Sequence, residues 1–426
     1  MRETEKKKLL IYAHYYVPDV AATAQILREL AEGLRDRLDV TVICTVPSYD
    51  GHVGEEYRTK QFYRERIGGV EVVRIRVPEF DKTRKLTRVK NILAYFFGAV
   101  AATFTTGKAD YVYSISQPPV LGGLLGVWGK LVKRARYIYN IQDFNPEQIM
   151  AVGYSHCKPV LWLMMFCDKI SCRMADKVIL VGEDMADTLR RRFGSKKIPP
   201  FCVINNWVNE RELLPLPTDH EGVRAFRRQY GLEDKYVVMY SGNIGFYYDL
   251  DGLIRVMNAF SRDGTPIAAD GREVVFAFVG AGGMKEALEQ YVYTHKMKNV
   301  VFIPYQEKKS LGYSLNAADV HWVVSARGIK GVSTPSKCYG VMACGKPVLG
   351  VLEQGTEIER IVRESGCGLL CEPGDYDQVA ENLRWFTEHA GEREQAEMGS
   401  RGRSYLEKYL TMEISLRRYA DEIMSC

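Results

Sequence analysis

The residues best suited to chemistry lie in STPSKCYGVMACGKPVLG, residues 333–350, a helical stretch that closes on a glycine. Ser333, Thr334 and Ser336 offer hydroxyls beside the N–H groups of a first helical turn. Pro335 suits such a turn because it has no N–H to leave unpaired. The positive end of the peptide dipole favours anions there, and Lys337 adds a full charge. This set fits a phosphate; the competing reading is a capped surface helix with a solvated lysine. A charge-assisted contact from Lys337 to phosphate contributes about 1.5–3 kcal/mol, roughly ten- to a hundredfold in affinity.

Three more strand-to-helix turns in the same half suit a ligand. In Ser241-Gly242-Asn243-Ile244-Gly245 the two glycines around Asn243 let the backbone approach a phosphate, Asn243 can donate to it, and Gly242, Asn243 and Ile244 are the candidate contacts. In FVGAGGMKEALEQYV, Gly280, Gly282 and Gly283 precede a helix, but Lys285 stands where a dinucleotide fingerprint needs its third glycine, which argues against a dehydrogenase. In FIPYQEKKSLGY, Tyr305 can lie against a heterocycle and Gln306 can bond its edge. Each turn alone also reads as a tight turn or a core aromatic; together they point to a nucleoside diphosphate.

The first half has no phosphate-grade glycines. Its opening turn, HYYVPDVAATAQILRELAEGL, carries Tyr16, Ala22 and Thr23, with Thr23 placed to cap a helix whose apolar face is Ile26, Leu27, Leu30 and Leu34. The turn NIQDFNPEQIMAVG carries Gln142, Asp143, Asn145 and Glu147, acids and amides suited to sugar hydroxyls or to handling a proton. The second half is therefore expected to hold a donor nucleotide and the first an acceptor.

Strands must hold these turns. Short apolar runs rich in Val, Ile and Tyr alternate with helical segments: LLIYAHYY, DVTVICTV, VEVVRIRV, YVYSIS, YIYNIQD, KVILVG and FCVINNW, then YVVMYSG, VVFAFVG, VVFIPY, DVHWVV, PVLGVL and CGLLCEP. Near-continuous apolar strands between helices indicate parallel sheets covered on both faces. The pattern predicts two doubly wound α/β domains: 1–208, with 408–426 packing back as part of one last helix over about 400–426, and 209–407. A length of 426 residues, 46% hydrophobic and 26% charged, suits two such cores. A net charge of +5 argues against a dedicated nucleic-acid binder. The ten cysteines, without a C-x-x-C pair, read as reduced thiols of a cytoplasmic protein, and the charged MRETEKKK start lacks a signal peptide's apolar stretch. No cofactor or metal is expected.

A basic run (Lys82, Arg84, Lys85, Arg88 and Lys90) precedes thirteen mainly apolar residues that include Tyr95, Phe96 and Phe97; KLVKRAR is a second basic run. As a helix the apolar part reaches about 20 Å, short of a bilayer core of about 30 Å, so it is expected to lie in a membrane interface, a buried helix with a solvated basic end being the alternative.

PDVAATAQILRELAEGL, QDFNPE, INNWVNE, YSGNIG, VGAGG, PYQEKKSLGYSLNAADVHWV, PSKCYGVMACGKPV and GTEIERIVRESGCGLLCEPGD occur in the order found in family four of the GT-B glycosyltransferases. The chain resembles that family over nearly its whole length, most closely the bacterial surface-polysaccharide group that includes colanic-acid and N-acetylfucosaminyl transferases. The resemblance implies two Rossmann-like domains facing across a cleft, the last helix returning to the first. It also implies metal-independent, retaining transfer of a sugar, an N-acetylated or deoxy hexose, from a UDP-sugar to a polyprenyl-diphosphate-linked saccharide at the inner leaflet of the cytoplasmic membrane. Lys337 would stabilise the departing diphosphate, and Asp143 would orient the acceptor or receive its proton. The broader family's glutamate pair falls on Val332 and Gly340, and its Arg and Lys pair on Asn243 and Tyr248. Lys337 then becomes the diphosphate cation and Glu357 the candidate for the ribose, against a plain first-turn acid. A sugar-nucleotide epimerase and a non-catalytic nucleotide-sugar-binding scaffold are the rival readings.

Overall fold

A computed structural model of the chain describes residues 6–81, 84–151, 153, 156–262 and 264–426, the side chain of Lys85 excepted; Met1–Glu5, Lys82 and Val152 lie outside the described residues. The chain divides into two compact units, Met1–Asn206 with Ser415–Cys426, and Trp207–Ile414.

Unit 1 holds β1 (Lys7–Tyr12), β2 (Leu38–Thr45), β3 (Phe62–Ile67), β4 (Val70–Ile75), β5 (Tyr111–Ile115), β6 (Arg136–Ile141), β7 (Lys177–Leu180) and β8 (Phe201–Val203). They form one sheet in the order β3-β4-β2-β1-β5-β6-β7-β8. Pairing is parallel throughout except between β3 and β4. The central strands are buried at almost every position because helices cover both faces. Seven of these strands fall on the apolar runs of the sequence; β3, FYRERI, does not. It is an edge strand with charges alternating along it, and Gly68-Gly69, with φ of 56° and 85°, turns it back into β4. That two-residue glycine loop is the signal by which it could have been read.

Right-handed crossovers from β4 through to β8 put helices 85–105, 121–133, 158–174 and 183–193 on one face of this sheet. Trp128 Nε1 donates to Val100 O, Lys130 Nζ to Met174 O, and Arg192 pairs with Asp168, linking the four helices in that order. The other face takes helix 22–34 and the end of the chain: Leu416 lies against Gly33, and Asn140 Nδ2 donates to Tyr419 Oη over 3.2 Å. The stretch expected as one last helix is two, Arg393–Tyr409 and Met412–Met424. The break arises because Leu410 is buried and Thr411 Oγ1 accepts Ile414 N–H, a hydroxyl cap that starts a new helix.

Unit 2 holds β9 (Lys235–Ser241), β10 (Glu273–Val279), β11 (Val300–Ile303), β12 (Val320–Val324), β13 (Val348–Val351) and β14 (Gly368–Cys371), all on predicted runs. Their order is β11-β10-β9-β12-β13-β14, parallel throughout. Each sheet thus reverses its strand order once, between β1 and β5 and between β9 and β12. Such reversals open a crevice at the carboxyl ends of the strands, where ligands of doubly wound sheets bind.

Helix 121–133 carries Gly122, Gly123, Gly126 and Gly129 on the face it turns to the sheet. A Cβ on Gly126 would enter the Tyr137 ring, and one on Gly129 would come within 2.8 Å of Tyr12 Oη. Overpacking of this kind costs about 1–3 kcal/mol. Gly126→Val is expected to lower the unfolding midpoint of unit 1 accordingly; an unchanged midpoint would mean that the helix can ride outward without loss.

Candidate functional site

In unit 2 the reversal between β9 and β12 brings the turn after β9 against the start of the short helix Lys337–Ala343. Lys337 lies there, partly buried, with Gly242 beneath its stem: a Cβ on Gly242 would stand 2.5 Å from Lys337 Cε. Its Nζ sits 3.2 Å from the centre of the Tyr248 ring and 4.2 Å from that of Tyr240, and it donates to Tyr240 Oη. Tyr240 Oη in turn donates to Asn243 O over 2.5 Å. The ring faces attract the ammonium. Among the described residues no carboxylate pairs with it, and removal from water holds it well below the ordinary lysine range. The arrangement is a cationic socket that lacks an anion.

The surrounding residues differ from expectation in several particulars. The helix begins at Lys337, with Ser336 as its N-cap in helical geometry and no side-chain cap bond, so Pro335 precedes the cap instead of filling the first turn. Thr334 and Pro335 are half-buried and Ser336 is exposed, in the loop that leads into Lys337. Ile244 belongs to the core; its N–H donates to Ala281 O and its carbonyl accepts Met284 N–H, which leaves neither group for a phosphate. Gly280 and Gly282, with φ of 141° and 159°, are required by the chain itself, because a Cβ on either would strike the carbonyl of Gly242 or of Ile244. They pack two turns against each other. Asn243 is exposed in the first of those turns.

Tyr305 is 56% exposed beyond β11, and Gln306 Nε2 donates to Pro304 O and Tyr230 Oη. Glu357 opens helix Glu357–Ser365 as a buried acid whose Oε1 accepts Arg360 Nη2 over 2.6 Å. Sequence reasoning missed Tyr240 as part of the socket. A tyrosine one residue before a glycine turn, with Tyr248 beyond it, was the available signal. It also missed Glu353, which accepts the N–H groups of Gly328 and Lys330 and fixes the loop after β12.

In unit 1 the reversal between β1 and β5 collects the turn after β1. Thr23 does not cap helix 22–34; its N-cap is Ala21, and Thr23 Oγ1 donates to Gln117 Oε1, joining the turns after β1 and β5. Ala22 is the first residue of that helix and is exposed. Tyr16 is fully buried and belongs to the core, not to an acceptor surface. Beside it in sequence, His14 is buried and Tyr15 is half-buried. His14 stacks on Tyr15 at 4.1 Å, and Tyr49, 39% exposed, stands edge-on to Tyr15 at 5.2 Å. His14 is buried with Nε2 unpartnered, and burial holds its pKa at about 3, so near neutrality the ring is uncharged. Asp19 accepts the N–H groups of Ser48 and Tyr49, and buried Arg74 donates to Val17 O and Thr45 O; both fix this turn.

After β6, Asp143 is half-buried and takes Gln148 Nε2 on Oδ1 over 3.0 Å. Gln142 and Glu147 are not free for an acceptor. The Gln142 amide is exchanged with Asn206 and donates to Asn140, and Glu147 is held by Arg192 Nε and Nη2 at 2.6 and 2.5 Å. Arg192 also pairs with Asp168 and donates to Asn145 O. This buried network positions the loop that carries Asp143. Among the described residues no group of three or more His, Cys, Asp or Glu is placed to hold a metal ion.

The depressed Lys337 group has a consequence for stability. Where both folded and unfolded lysines are neutral it costs nothing. As pH falls below the ordinary lysine value near 10.4, the unfolded chain takes up a proton that the folded chain resists, and the cost is complete below the folded pKa. Lys337→Met is therefore expected to raise the unfolding midpoint of the nucleotide-free protein at pH 7, by an amount that shrinks as pH approaches 10.5. A lower midpoint at pH 7 would show that the socket already satisfies its cation.

Two family models match side by side, "Glycosyl transferase 4-like domain" over residues 22–207 and "Glycosyl transferases group 1" over 223–405. WbjE of Pseudomonas aeruginosa, named as a glycosyltransferase, is 26% identical over 80% of this chain and 82% of its own. WcaI of Escherichia coli K12, named as a glycosyl transferase of colanic acid biosynthesis, is 25% identical over 98% of this chain and 99% of its own. Among solved structures, Anabaena HepE, crystallised with UDP and glucose, superimposes with a TM-score of 0.71 at 15% identity, covering 99% of this chain and all of the other. The two models take in most of the sequence, in the order and with the folds described above, and the chain accordingly belongs to family four of the GT-B glycosyltransferases, in its bacterial surface-polysaccharide group.

Proposed function

We propose that this glycosyltransferase moves a hexose, N-acetylated or deoxy, from UDP to a saccharide carried on a polyprenyl diphosphate, with retention of configuration, in surface-polysaccharide synthesis at the inner face of the cytoplasmic membrane. The observation that carries the donor half is Lys337, an ammonium set between two tyrosine rings without a carboxylate partner. A nucleoside diphosphate supplies the missing anion. As the sugar–phosphate bond breaks, charge builds on the departing diphosphate, and a fixed cation at a poorly hydrated spot stabilises that charge more than it stabilises the bound donor. UDP is favoured as the carrier because HepE was solved with UDP and glucose. Tyr305 and Gln306 are the candidates for the base, and Glu357 for the ribose.

Unit 1 is proposed as the acceptor side. The faces of Tyr15 and Tyr49 suit the apolar face of a sugar ring, with neutral, buried His14 stacked against Tyr15. Asp143, on its braced loop, is the proposed group that orients the acceptor hydroxyl or takes its proton. The membrane reading draws support from helix 85–105. Leu86, Val89, Leu93, Phe97 and Phe104 are exposed along it, and Arg84, Arg88 and Lys90 cluster at its start. Lys82 and the side chain of Lys85, the other members of that basic run, lie outside the described residues. No helix among the described residues is long and apolar enough to cross a membrane.

Thermal unfolding with UDP, GDP and ADP in parallel tests the donor half. A ligand at a hundred times its dissociation constant adds about 2.7 kcal/mol of stability. UDP is expected to raise the midpoint, and Lys337→Ala to weaken UDP by about ten- to a hundredfold. Equal UDP affinity in wild type and Lys337→Ala would remove the proposed role of this lysine.

A further inference from the structure

Between the ends of helices 158–174 and 183–193, unit 1 has a half-open cavity of about 430 Å³. Lys169, Arg173, Arg191, Arg192 and Lys196 line it, and no acidic residue does. Arg192 is compensated by Glu147 and Asp168. The last turn of a helix favours cations, which accounts for Arg173 and Arg191 at two helix ends. It does not account for Lys169, a turn earlier, or for Lys196, beyond the end. Among the described residues none of Lys169, Arg173, Arg191 and Lys196 pairs with a carboxylate; Arg173 lies over the Phe193 ring, and Arg191 donates to Thr188 Oγ1. A cavity walled by four uncompensated cations suits a phosphate.

The same helix says what bears that phosphate. Trp162, Phe166, Lys169 and Arg173 are spaced by four, three and four residues, which places them along one face. Trp162 is 67% exposed and stacks on Phe166 at 5.5 Å, with Leu163 exposed beside them. One face therefore runs from bare aromatics to cations along its length, and at 1.5 Å per residue its two ends stand about 16 Å apart. This is the profile of a membrane interface, where aromatic side chains enter at headgroup depth and cations stay level with the phosphates. Helix 121–133, which bonds to helix 158–174, also bonds to helix 85–105, so both exposed apolar stripes belong to one helix layer of unit 1.

We propose that this cavity is a docking site for the headgroup phosphate of an anionic membrane lipid, with Trp162 and Phe166 inserted beside it. The inference rests on the reading that the protein works at a membrane surface, and it adds a phosphate-selective contact to that reading. Each cation held near an anionic leaflet contributes on the order of 1 kcal/mol, so losing two weakens binding by about thirtyfold.

Vesicle co-sedimentation of the full-length protein, on phosphatidylglycerol-rich and on pure phosphatidylcholine vesicles, separates the two claims. Wild type is expected to bind the anionic vesicles. Lys169→Gln with Arg173→Gln is expected to bind them about thirtyfold more weakly, while its UDP affinity and its melting midpoint stay unchanged. Trp162→Ala is expected to weaken binding to both kinds of vesicle. If the double variant binds anionic vesicles as wild type does, the cavity is no lipid-phosphate site, although the membrane reading stands. If wild type binds neither vesicle, both fail. A loss in the double variant that inorganic phosphate reproduces in wild type by competition supports the cavity; an equal loss on phosphatidylcholine would assign the effect to the helix face and overturn the phosphate site.

Discussion

A cation taken out of water must be compensated, and the second unit is arranged around one that is compensated only in part. Lys337 has two tyrosine faces and one hydroxyl in place of a carboxylate. Ring faces contribute about 0.5–2 kcal/mol each, less than desolvation of an ammonium costs, and its proton is accordingly held loosely. Around it the chain admits little alternative. Gly242 lies under the lysine stem, Gly280 must let the carbonyl of Gly242 approach, and Gly282 does the same for Ile244. The turns beneath the socket are fixed by backbone against backbone, and a charged group held in place in this way favours an anion without reorganising to meet it.

The first unit handles buried charge in the opposite way. Arg192 is matched by Asp168, Glu147 and the carbonyl of Asn145, and Arg74 by Glu65 and two carbonyls. These are closed networks, and each holds a turn at the carboxyl end of the sheet. Compensated charge here positions the turns that carry His14, Tyr15 and Asp143, whereas Lys337 in the other unit is buried among rings without such a partner among the described residues. The contrast separates a structural ion pair from a site, which proximity of charges alone would not do.

Much of this was legible in the sequence because strand patterning and strand-end turns have strong signatures. Thirteen apolar runs became strands, and the helix over Leu250–Phe260 follows its expected face. What escaped is what depends on neighbours distant in the chain. Glu147 reads as an available acid until Arg192, forty-five residues on, closes over it. Tyr16 and Tyr15 are equally aromatic in sequence, and only the packing of the turn decides that one is core and the other half-buried. The glycines around Gly280 read in the sequence as a weak phosphate signal, and the structure adds that two loops approach each other there with no room for a Cβ. Lys337 reads in the sequence as a charged residue at a helix start, whereas in the structure it is removed from water between two tyrosine rings.

The central claim is that the Lys337 socket lacks an anion and that a nucleoside diphosphate supplies it. Calorimetry of UDP and of uridine binding near pH 8, where the phosphates are fully ionised, measures it directly in wild type and Lys337→Met. The account predicts that the substitution weakens UDP by about ten- to a hundredfold and leaves uridine unchanged. Equal UDP affinity in the two proteins, or an equal loss for both ligands, would contradict it.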